Sequence, residues 1–259
     1  MTESYFTQKS LKILSLLGQQ NDRLWYREHK NEIEDLLLAP AKNLVVSVGA
    51  ILRQSCPDLV IMPKVDGSIY RLYRDTRFCK DKNPYKDHLG LIWWQNFPEG
   101  KMESPCFYFH LTPNGWIWSV GLYRFPPAVL EAFRQTLLAP KEAKVFLDIV
   151  DKLKKLDLCF NPPELKRPPS GLKPLEAVNE WLRRKGLYTW SQELSLEKEL
   201  FGPEAALYLT KRFNLALPLF QWLVKLFYQT KKSLLEQLPP EGTGPKGPTI
   251  KPGHYREDF

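Results

Sequence analysis

The first fifty residues repeat apolar side chains at the spacing of an α-helix. Thr7 is a candidate N-cap for a first helix, and Asn21 or Asp22 for a second helix over 23–38. Because Pro40 has no backbone N–H to donate, we expect it to end this second helix. A third helix is predicted by apolar residues in an i, i+1, i+4, i+7, i+8 pattern: Leu44, Val45, Val48, Ile51 and Leu52.

In the middle of the chain, runs of β-branched and aromatic residues replace the helical spacing, and two of the runs alternate. The runs 68–73 and 89–97 are rich in β-branched and aromatic residues and are typical of strands. In "CFYFHLTPNGWIWSVGLY" two alternating runs flank Asn114-Gly115, which predicts a hairpin because both residues tolerate positive φ. We expect one face of each arm to pack on helices: Phe107, Phe109 and Leu111 on the first, and Trp116, Trp118 and Val120 on the second.

Helical spacing returns after Pro126 and Pro127 and continues almost to the end of the chain. A proline-rich segment at 160–174 interrupts it, and we interpret this segment as an ordered loop or a joint. Pro218 lies within the last helical run, 203–232, and should bend or split it.

Strands gathered between two helical regions predict an α+β fold. A central antiparallel sheet would contain the Trp-rich hairpin, with helices before and after it, whereas a doubly wound fold would need regular alternation of strands and helices. We expect a single domain over residues 1–238. Residues 239–259 are predicted to be a flexible tail, because nine of these twenty-one residues are Pro or Gly and few are apolar.

Hydropathy and cysteine spacing bear on the cellular compartment. No run approaches the roughly 18–20 consecutive apolar residues that cross a bilayer, and the first ten residues lack the charged-then-apolar pattern of a secretory signal. The four cysteines are far apart and form no C-x-x-C pair, which fits free thiols in a reducing compartment. These features predict a cytoplasmic protein without membrane association.

The positive charge of the chain is concentrated in one segment. The formal net charge is +8. Residues 64–86 hold seven basic and three acidic groups, a local charge of +4 in less than a tenth of the chain. A local excess of this kind attracts phosphate, nucleotides, nucleic acid or an acidic protein.

Within this segment, "RLYRDTRFCKDKNPYK" at 71–86 predicts a binding site for a small anion. We expect a strand to end near Arg74, so that the cations after it converge at the strand end. Guanidinium groups bind phosphate or carboxylate with two parallel hydrogen bonds, and a tyrosine can stack on a base. The predicted ligand-binding residues are Arg71, Arg74, Arg77, Lys80, Lys82, Tyr85 and Lys86.

Three other interpretations of the same residues remain open. Asp75 could pair with Arg77 or Arg134, and Asp81 with a neighbouring cation, which would make the segment a structural ion-pair network. The same two aspartates could instead serve an enzyme that acts on a phosphate ester or anhydride, as general base or metal ligand. A nucleic-acid-binding patch is the third, although the compact cluster favours a small anion over a long polyanion.

A metal site is not predicted, and no cofactor can be assigned. Cys106 and His110 share a strand face and His88 lies near them in sequence, but a second thiol or carboxylate at ligand spacing is missing. The sequence also leaves the oligomeric state open.

Several separated motifs resemble one family. "YRLYRDTRFCKDKNPYK", "NDRLWYREHK", "GLYRFPPAVLEAFRQTL" and "LKRPPSGLKPLEAVNEWLRRKGL" are similar, in this order, to motifs of the bacterial and fungal family known as domain of unknown function 2461. The resemblance covers about residues 5–232. It implies a single-domain architecture and brings no catalytic residues, substrate or cofactor. Cys79 departs from the family pattern, where a small hydroxyl residue such as Ser is expected.

Overall fold

The fold is α+β, with a six-stranded antiparallel sheet and helices before and after the central strands. A computed structural model describes residues 5–77, 82–172, 175–192 and 194–236. The helices are α1 (Gln8–Gln20), α2 (Arg23–Glu28), α3 (Lys30–Ile33), α4 (Ala39–Leu52), α5 (Pro127–Leu138), α6 (Pro140–Lys154), α7 (Glu176–Asn179), α8 (Ala205–Leu215) and α9 (Leu217–Glu236). The strands are β1 (Leu59–Val60), β2 (Leu89–Gln95), β3 (Cys106–Leu111), β4 (Trp116–Leu122), β5 (Cys159–Phe160) and β6 (Leu187–Trp190).

One face of the sheet carries the aromatic core. The strand order is β1-β2-β3-β4-β6-β5, and every neighbouring pair is antiparallel. Phe107 packs on Phe213 of α8 and Phe220 of α9, with ring centroids 5.2 and 4.4 Å apart. The predicted inward faces of the hairpin are therefore confirmed, and all six side chains are at most 2% exposed: Phe107, Phe109, Leu111, Trp116, Trp118 and Val120.

The hairpin is confirmed, but its turn differs from the predicted one. Leu111 pairs with Trp116, so the connection contains four residues, and neither Asn114 nor Gly115 has a positive φ. The Thr112 hydroxyl instead accepts the Asn114 and Gly115 N–H groups at 3.2 and 2.9 Å. A threonine side chain that bonds the following backbone stabilises a turn without left-handed residues.

The expectation that Pro40 ends a helix is wrong. Helix continues from α3 through a π-helical turn, Glu34–Leu38, into α4, where Pro40 lies in the first turn. In the π turn the Ala39 N–H donates to Glu34 O, five residues back. This wider turn immediately before Pro40 accommodates a residue that cannot continue the α-helical hydrogen bonds.

The predicted strand over 68–73 is also wrong, because the chain turns there after a brief contact with β2. Ile69 forms an isolated bridge with Leu91, and Tyr73 forms another with Tyr85. The prediction of a strand at 89–97 is confirmed, with β2 ending two residues earlier. At the C-terminal end, the expected split near Pro218 is confirmed between α8 and α9.

The continuous helix over Lys30–Leu52 is long and apolar enough to cross a bilayer by length and composition alone. This is weak evidence for a membrane span, because the core helix of a soluble protein passes the same test. Its apolar stripe is buried against the rest of the fold: Leu37, Leu44, Val45, Val48 and Leu52 are at most 1% exposed.

Candidate functional site

The two described stretches of the basic segment, 71–77 and 82–86, pair with each other, and we call them the basic loop. The Arg74 N–H donates to Pro84 O at 2.7 Å, and the Lys86 N–H donates to Leu72 O at 2.8 Å. This pairing brings the start and the end of the segment together, so that the charges of Arg71 and Lys86 interact. Leu72 is buried and anchors the loop to the core.

Asn21 and Tyr26 fix this loop to the N-terminal helices. Asn21, in a left-handed conformation after α1, accepts the Tyr85 N–H through Oδ1 at 2.8 Å and donates to Tyr85 O at 3.0 Å. The ring of Tyr85 stacks on Tyr26 with centroids 4.4 Å apart and meets Tyr73 edge-on. The side chain of Tyr85 is 7% exposed. In this arrangement Tyr85 packs against protein rings.

Asp75, Thr76, Arg77 and Lys82 form what we call the tip of the loop, which holds an ion pair between neighbours. Arg77 donates to Asp75 through Nη2 at 2.8 Å and through Nε at 3.1 Å. These hydrogen bonds lower the pKa of Asp75 to about 2. The Lys82 ammonium donates to Thr76 O at 2.9 Å. Part of the positive charge is therefore used within the loop, as the interpretation of the segment as a structural network expected.

At the base of the loop, four cations form a group that we call the cationic rim: Arg71, Arg74, Lys86 and Lys101. The ammonium groups of Lys86 and Lys101 lie 5.6 and 4.9 Å from the centroid of the Tyr70 ring. Lys101 also donates to the carbonyls of Asp66 and Gly67 at 2.8 and 2.9 Å. Among the described residues, the Lys86 ammonium has no hydrogen-bond acceptor.

Burial and mutual repulsion act together on Lys86. Burial lowers the pKa of its ammonium below the ordinary value, and the charges of Arg71, Arg74 and, more weakly, Lys101 lower it further. Asp66 opposes this effect. Counting the described residues, the rim thus contains a partly desolvated cation surrounded by more positive than negative charge.

Next to the rim, the face of the sheet opposite the aromatic core forms a cavity of about 450 Å³, which we call the sheet groove. Its floor includes three small residues of β3 and β4, Cys106, Ser119 and Gly121, and the register pairs Cys106 with Gly121. Five aromatic side chains form its walls: Tyr70, Tyr108, Tyr123, Tyr188 and Trp190.

Two glycines make room for these rings. At Gly121, with φ +145°, an added Cβ would lie 2.3 Å from Leu187 O and 2.4 Å from the Tyr188 Cα. At Gly90, an added Cβ would lie 2.8 Å from the Tyr108 hydroxyl. Both positions therefore require the absence of a side chain if the strands and the tyrosine are to approach so closely.

A chain of polar groups leads from the rim into the groove. Asp87 Oδ1 lies 3.0 Å from His88 Nδ1, the His88 ring stacks on His110 at 4.3 Å, and His110 Nδ1 lies 3.1 Å from the Tyr108 hydroxyl. Burial lowers the pKa of His110 to about 4. Burial also lowers the pKa of His88, although its contact with Asp87 acts in the opposite direction. Burial therefore favours the neutral form of both rings.

The structure brings some predicted site residues together and separates others. Arg71, Arg74 and Lys86 belong to the rim, Arg77 and Lys82 to the tip of the loop, and Lys80 and Asp81 lie outside the described residues, as does Cys79. Arg134 lies on α5, which packs on α6 and α9, and the described partner of Asp75 is Arg77. The assignment of these residues to ligand binding stays a prediction.

Lys101 and the tyrosines of the groove were missed. A signal for part of the groove was present, because Cys106, Tyr108 and His110 occupy the alternate positions of the predicted hairpin arm. Lys101 gave no signal, since it lies in a loop whose path brings it to Tyr70. In the described part of the chain, no group of three or more His, Cys, Asp and Glu side chains could hold a metal ion.

Comparison with known proteins identifies a family. No curated protein and no solved structure is significantly similar to the chain. A family profile described as "Conserved hypothetical protein (DUF2461)" matches residues 9–222, which is well over half of the chain. The match confirms the resemblance that the separated sequence motifs indicated. The chain therefore belongs to the family of domain of unknown function 2461.

Proposed function

We propose that the protein binds a small anionic ligand, such as a phosphorylated metabolite, at the cationic rim. The observation that carries this proposal is the Lys86 ammonium, which is partly buried beside Arg71, Arg74 and Lys101 and has no acceptor among the described residues. An anion placed there would accept charge-assisted hydrogen bonds and would reduce the repulsion among the cations. In a closed structural network, acceptor groups of the protein itself would bind the Lys86 ammonium.

The alternative of an enzyme with Asp75 as general base has less support. The pKa of Asp75 is held at about 2 by its hydrogen bonds to Arg77, and such a carboxylate is a weak base at neutral pH. Asp75 also lies at the tip of the loop with Arg77, whereas the partly desolvated cation Lys86 lies at its base. Binding without assigned chemistry is therefore the better-supported function.

Calorimetric titration with inorganic phosphate, pyrophosphate and methyl phosphate tests the proposal. We expect Lys86→Ala and Lys101→Ala to weaken the binding of the tightest of these anions about tenfold or more, because each removes a charge-assisted contact. Lys152→Ala is the matched control, since it removes one exposed charge from α6. The proposal would be contradicted if the wild type bound none of these anions, or if all three variants bound them with the same affinity.

We also propose a cytoplasmic location. The described cysteines Cys56, Cys106 and Cys159 are free thiols, and two of them are buried. Free thiols persist in reducing compartments, where disulfides are rare. Fractionation of cells that express the full chain at native levels should recover it in the soluble cytosolic fraction, and recovery with membranes would contradict this location.

A further inference from the structure

We infer that the ligand carries a planar aromatic ring, which enters the sheet groove while its anionic group meets the cationic rim. This inference rests on the proposed function and adds the chemical class of the ligand: a small aryl phosphate or a similar aromatic anion. It depends on the position of Tyr70, which both lines the groove and lies beneath the ammonium groups of Lys86 and Lys101. The two sites are therefore continuous.

The groove has the size and the walls that an aromatic ring needs. Its volume of about 450 Å³ lies within the range of roughly 300–1,000 Å³ that is typical of small-molecule sites. Tyr70 and Tyr108 meet edge-on with centroids 5.8 Å apart on one side, and Tyr188 and Trp190 lie 5.7 Å apart on the other. Aromatic walls bind planar rings through stacking and edge contacts, with little dependence on ring identity.

The floor of the groove leaves space for a ring to enter between these walls. Ser119 and Gly121 project little or no side chain from β4, although the large residues Tyr188 and Trp190 follow on the neighbouring strand β6. Tyr123 is 62% exposed at the opening, so that one wall is reachable from solvent. A purely aliphatic ligand would use this volume but not the faces of the rings.

Charge complementarity fixes the orientation of the ligand. The described cations next to the groove, Lys86 and Lys101, both lie at Tyr70, whereas Tyr188 and Trp190 form the opposite wall. An anionic group would therefore bind at the Tyr70 end, and the ring would point toward β6. A neutral ring would lose the contacts at the rim, and a small anion without a ring would lose those in the groove.

The test compares naphthyl phosphate, methyl phosphate and naphthol by titration of the full chain. We expect naphthyl phosphate to bind about tenfold or more tightly than methyl phosphate, because stacking contributes only to the former. We also expect naphthyl phosphate to bind about tenfold more tightly than naphthol, because naphthol lacks the anionic group. Ligand binding should also change the fluorescence of Trp190, which lines the groove.

Variants of the groove separate this inference from the proposed function. Ser119→Phe fills the floor, and Tyr188→Ala removes a wall. Either variant should bind naphthyl phosphate less than about threefold more tightly than methyl phosphate, with the affinity for methyl phosphate unchanged. Tyr228→Ala is the control, because it removes a half-exposed tyrosine of α9. It should keep the wild-type ratio of the affinities for naphthyl and methyl phosphate. Circular dichroism and thermal unfolding verify that each variant is folded.

The outcomes are distinguishable. Equal affinity for naphthyl and methyl phosphate would overturn the aromatic ligand class and leave anion binding at the rim intact. If naphthol bound as tightly as naphthyl phosphate, the rim would not contact the anionic group of a ligand in the groove, and the inference of one continuous site would be wrong. Binding of neither phosphate would overturn the proposed function together with this inference.

Discussion

At the scale of single residues, His110 is a largely buried histidine that lines the groove. Its ring stacks on His88 and its Nδ1 lies 3.1 Å from the Tyr108 hydroxyl. Burial lowers the pKa of His110 from the ordinary value of 6.5 to about 4, with a further contribution from the charge of His88 when protonated. Lys86 acts in the same direction and Asp87 in the opposite one. The protein therefore stabilises the neutral imidazole.

We expect this imidazole to make stability depend on pH in a defined window. Between pH 6.5 and about 4, His110 binds a proton in the unfolded chain before it does so in the folded one. The free energy of unfolding should therefore fall as pH decreases through this window, by about 1–2 kcal/mol once the shift is discounted for the partial exposure of the ring. Urea unfolding at several pH values across the window measures the effect.

The matched variants for this prediction are His110→Gln and His29→Gln. His110→Gln removes the titrating group and should flatten the pH dependence of the unfolding free energy. His29→Gln removes a histidine at the end of α2 and should leave that dependence unchanged. A pH dependence that is the same in wild type and His110→Gln would show that burial does not hold this imidazole neutral.

Sequence reasoning located the rim only in part because the rim assembles residues from distant positions. Arg71 and Lys86 could be named from local charge density alone. Lys101 contributes through a cation–π contact with Tyr70 across thirty-one positions of sequence, which no local pattern encodes. The contact between His88 and His110 depends on the pairing of Gly90 with His110, and the hairpin signal at Asn114-Gly115 does not fix that register.

At the scale of elements, periodicity predicted the helices and the hairpin but not how they are joined. The core faces of β3 and β4 followed from alternation, because the side chains of a strand point alternately to its two faces. The continuation of helix through Pro40 did not follow, since it depends on a π turn that no composition rule signals. The strand expected at 68–73 failed because Tyr73 pairs with Tyr85 instead of extending the contact with β2.

Asn21 is the residue through which the N-terminal helices hold the basic loop. It ends α1 and forms two hydrogen bonds with the backbone of Tyr85, sixty-four positions later. We expect Asn21→Gly to keep the left-handed conformation but to lose both bonds, which lowers the free energy of unfolding by about 1–2 kcal/mol. Hydrogen exchange at the Tyr85 amide should accelerate, and anion affinity should fall because Lys86 adjoins this anchor.

Asn21→Ala should be less stable than Asn21→Gly, because alanine also disfavours the left-handed backbone. Gln19→Ala provides the control, since Gln19 is exposed and its side chain donates to Ser15, one turn earlier in the same helix. It should leave exchange at the Tyr85 amide unchanged. If that amide exchanged equally in wild type and Asn21→Gly, Asn21 would not be the anchor of the loop.

At the scale of the whole molecule, the two faces of the sheet differ in burial. One face carries the buried aromatic core, and the other opens into the sheet groove beside the cationic rim. The α+β architecture could be predicted because strands cluster in the middle of the chain. The position of the groove could not be predicted from the sequence. The groove arises where small residues of β3 and β4 lie between aromatic residues that come from distant segments.

The distribution of charge over the molecule leads to different expectations for a small anion and for a nucleic acid. The chain carries a formal net charge of +8, but part of the basic segment is neutralised by the Asp75–Arg77 pair. A compact rim can contact only one or two phosphates. The logarithm of the affinity for an oligonucleotide should therefore fall with the logarithm of salt concentration with a slope no steeper than about −2. A surface with six or more phosphate contacts would give a slope of about −4 or steeper for a single strand.

Fluorescence anisotropy of a labelled single-stranded oligonucleotide, measured between roughly 50 and 200 mM salt, tests this expectation. The same series with pyrophosphate, followed by calorimetry, provides the reference for a ligand that fits the rim. Pyrophosphate should compete with the oligonucleotide, and Lys86→Ala should weaken both, because both would use the same cations. A steep slope together with oligonucleotide binding that pyrophosphate cannot displace would identify a nucleic-acid surface instead, since only an extended array of cations releases many counterions.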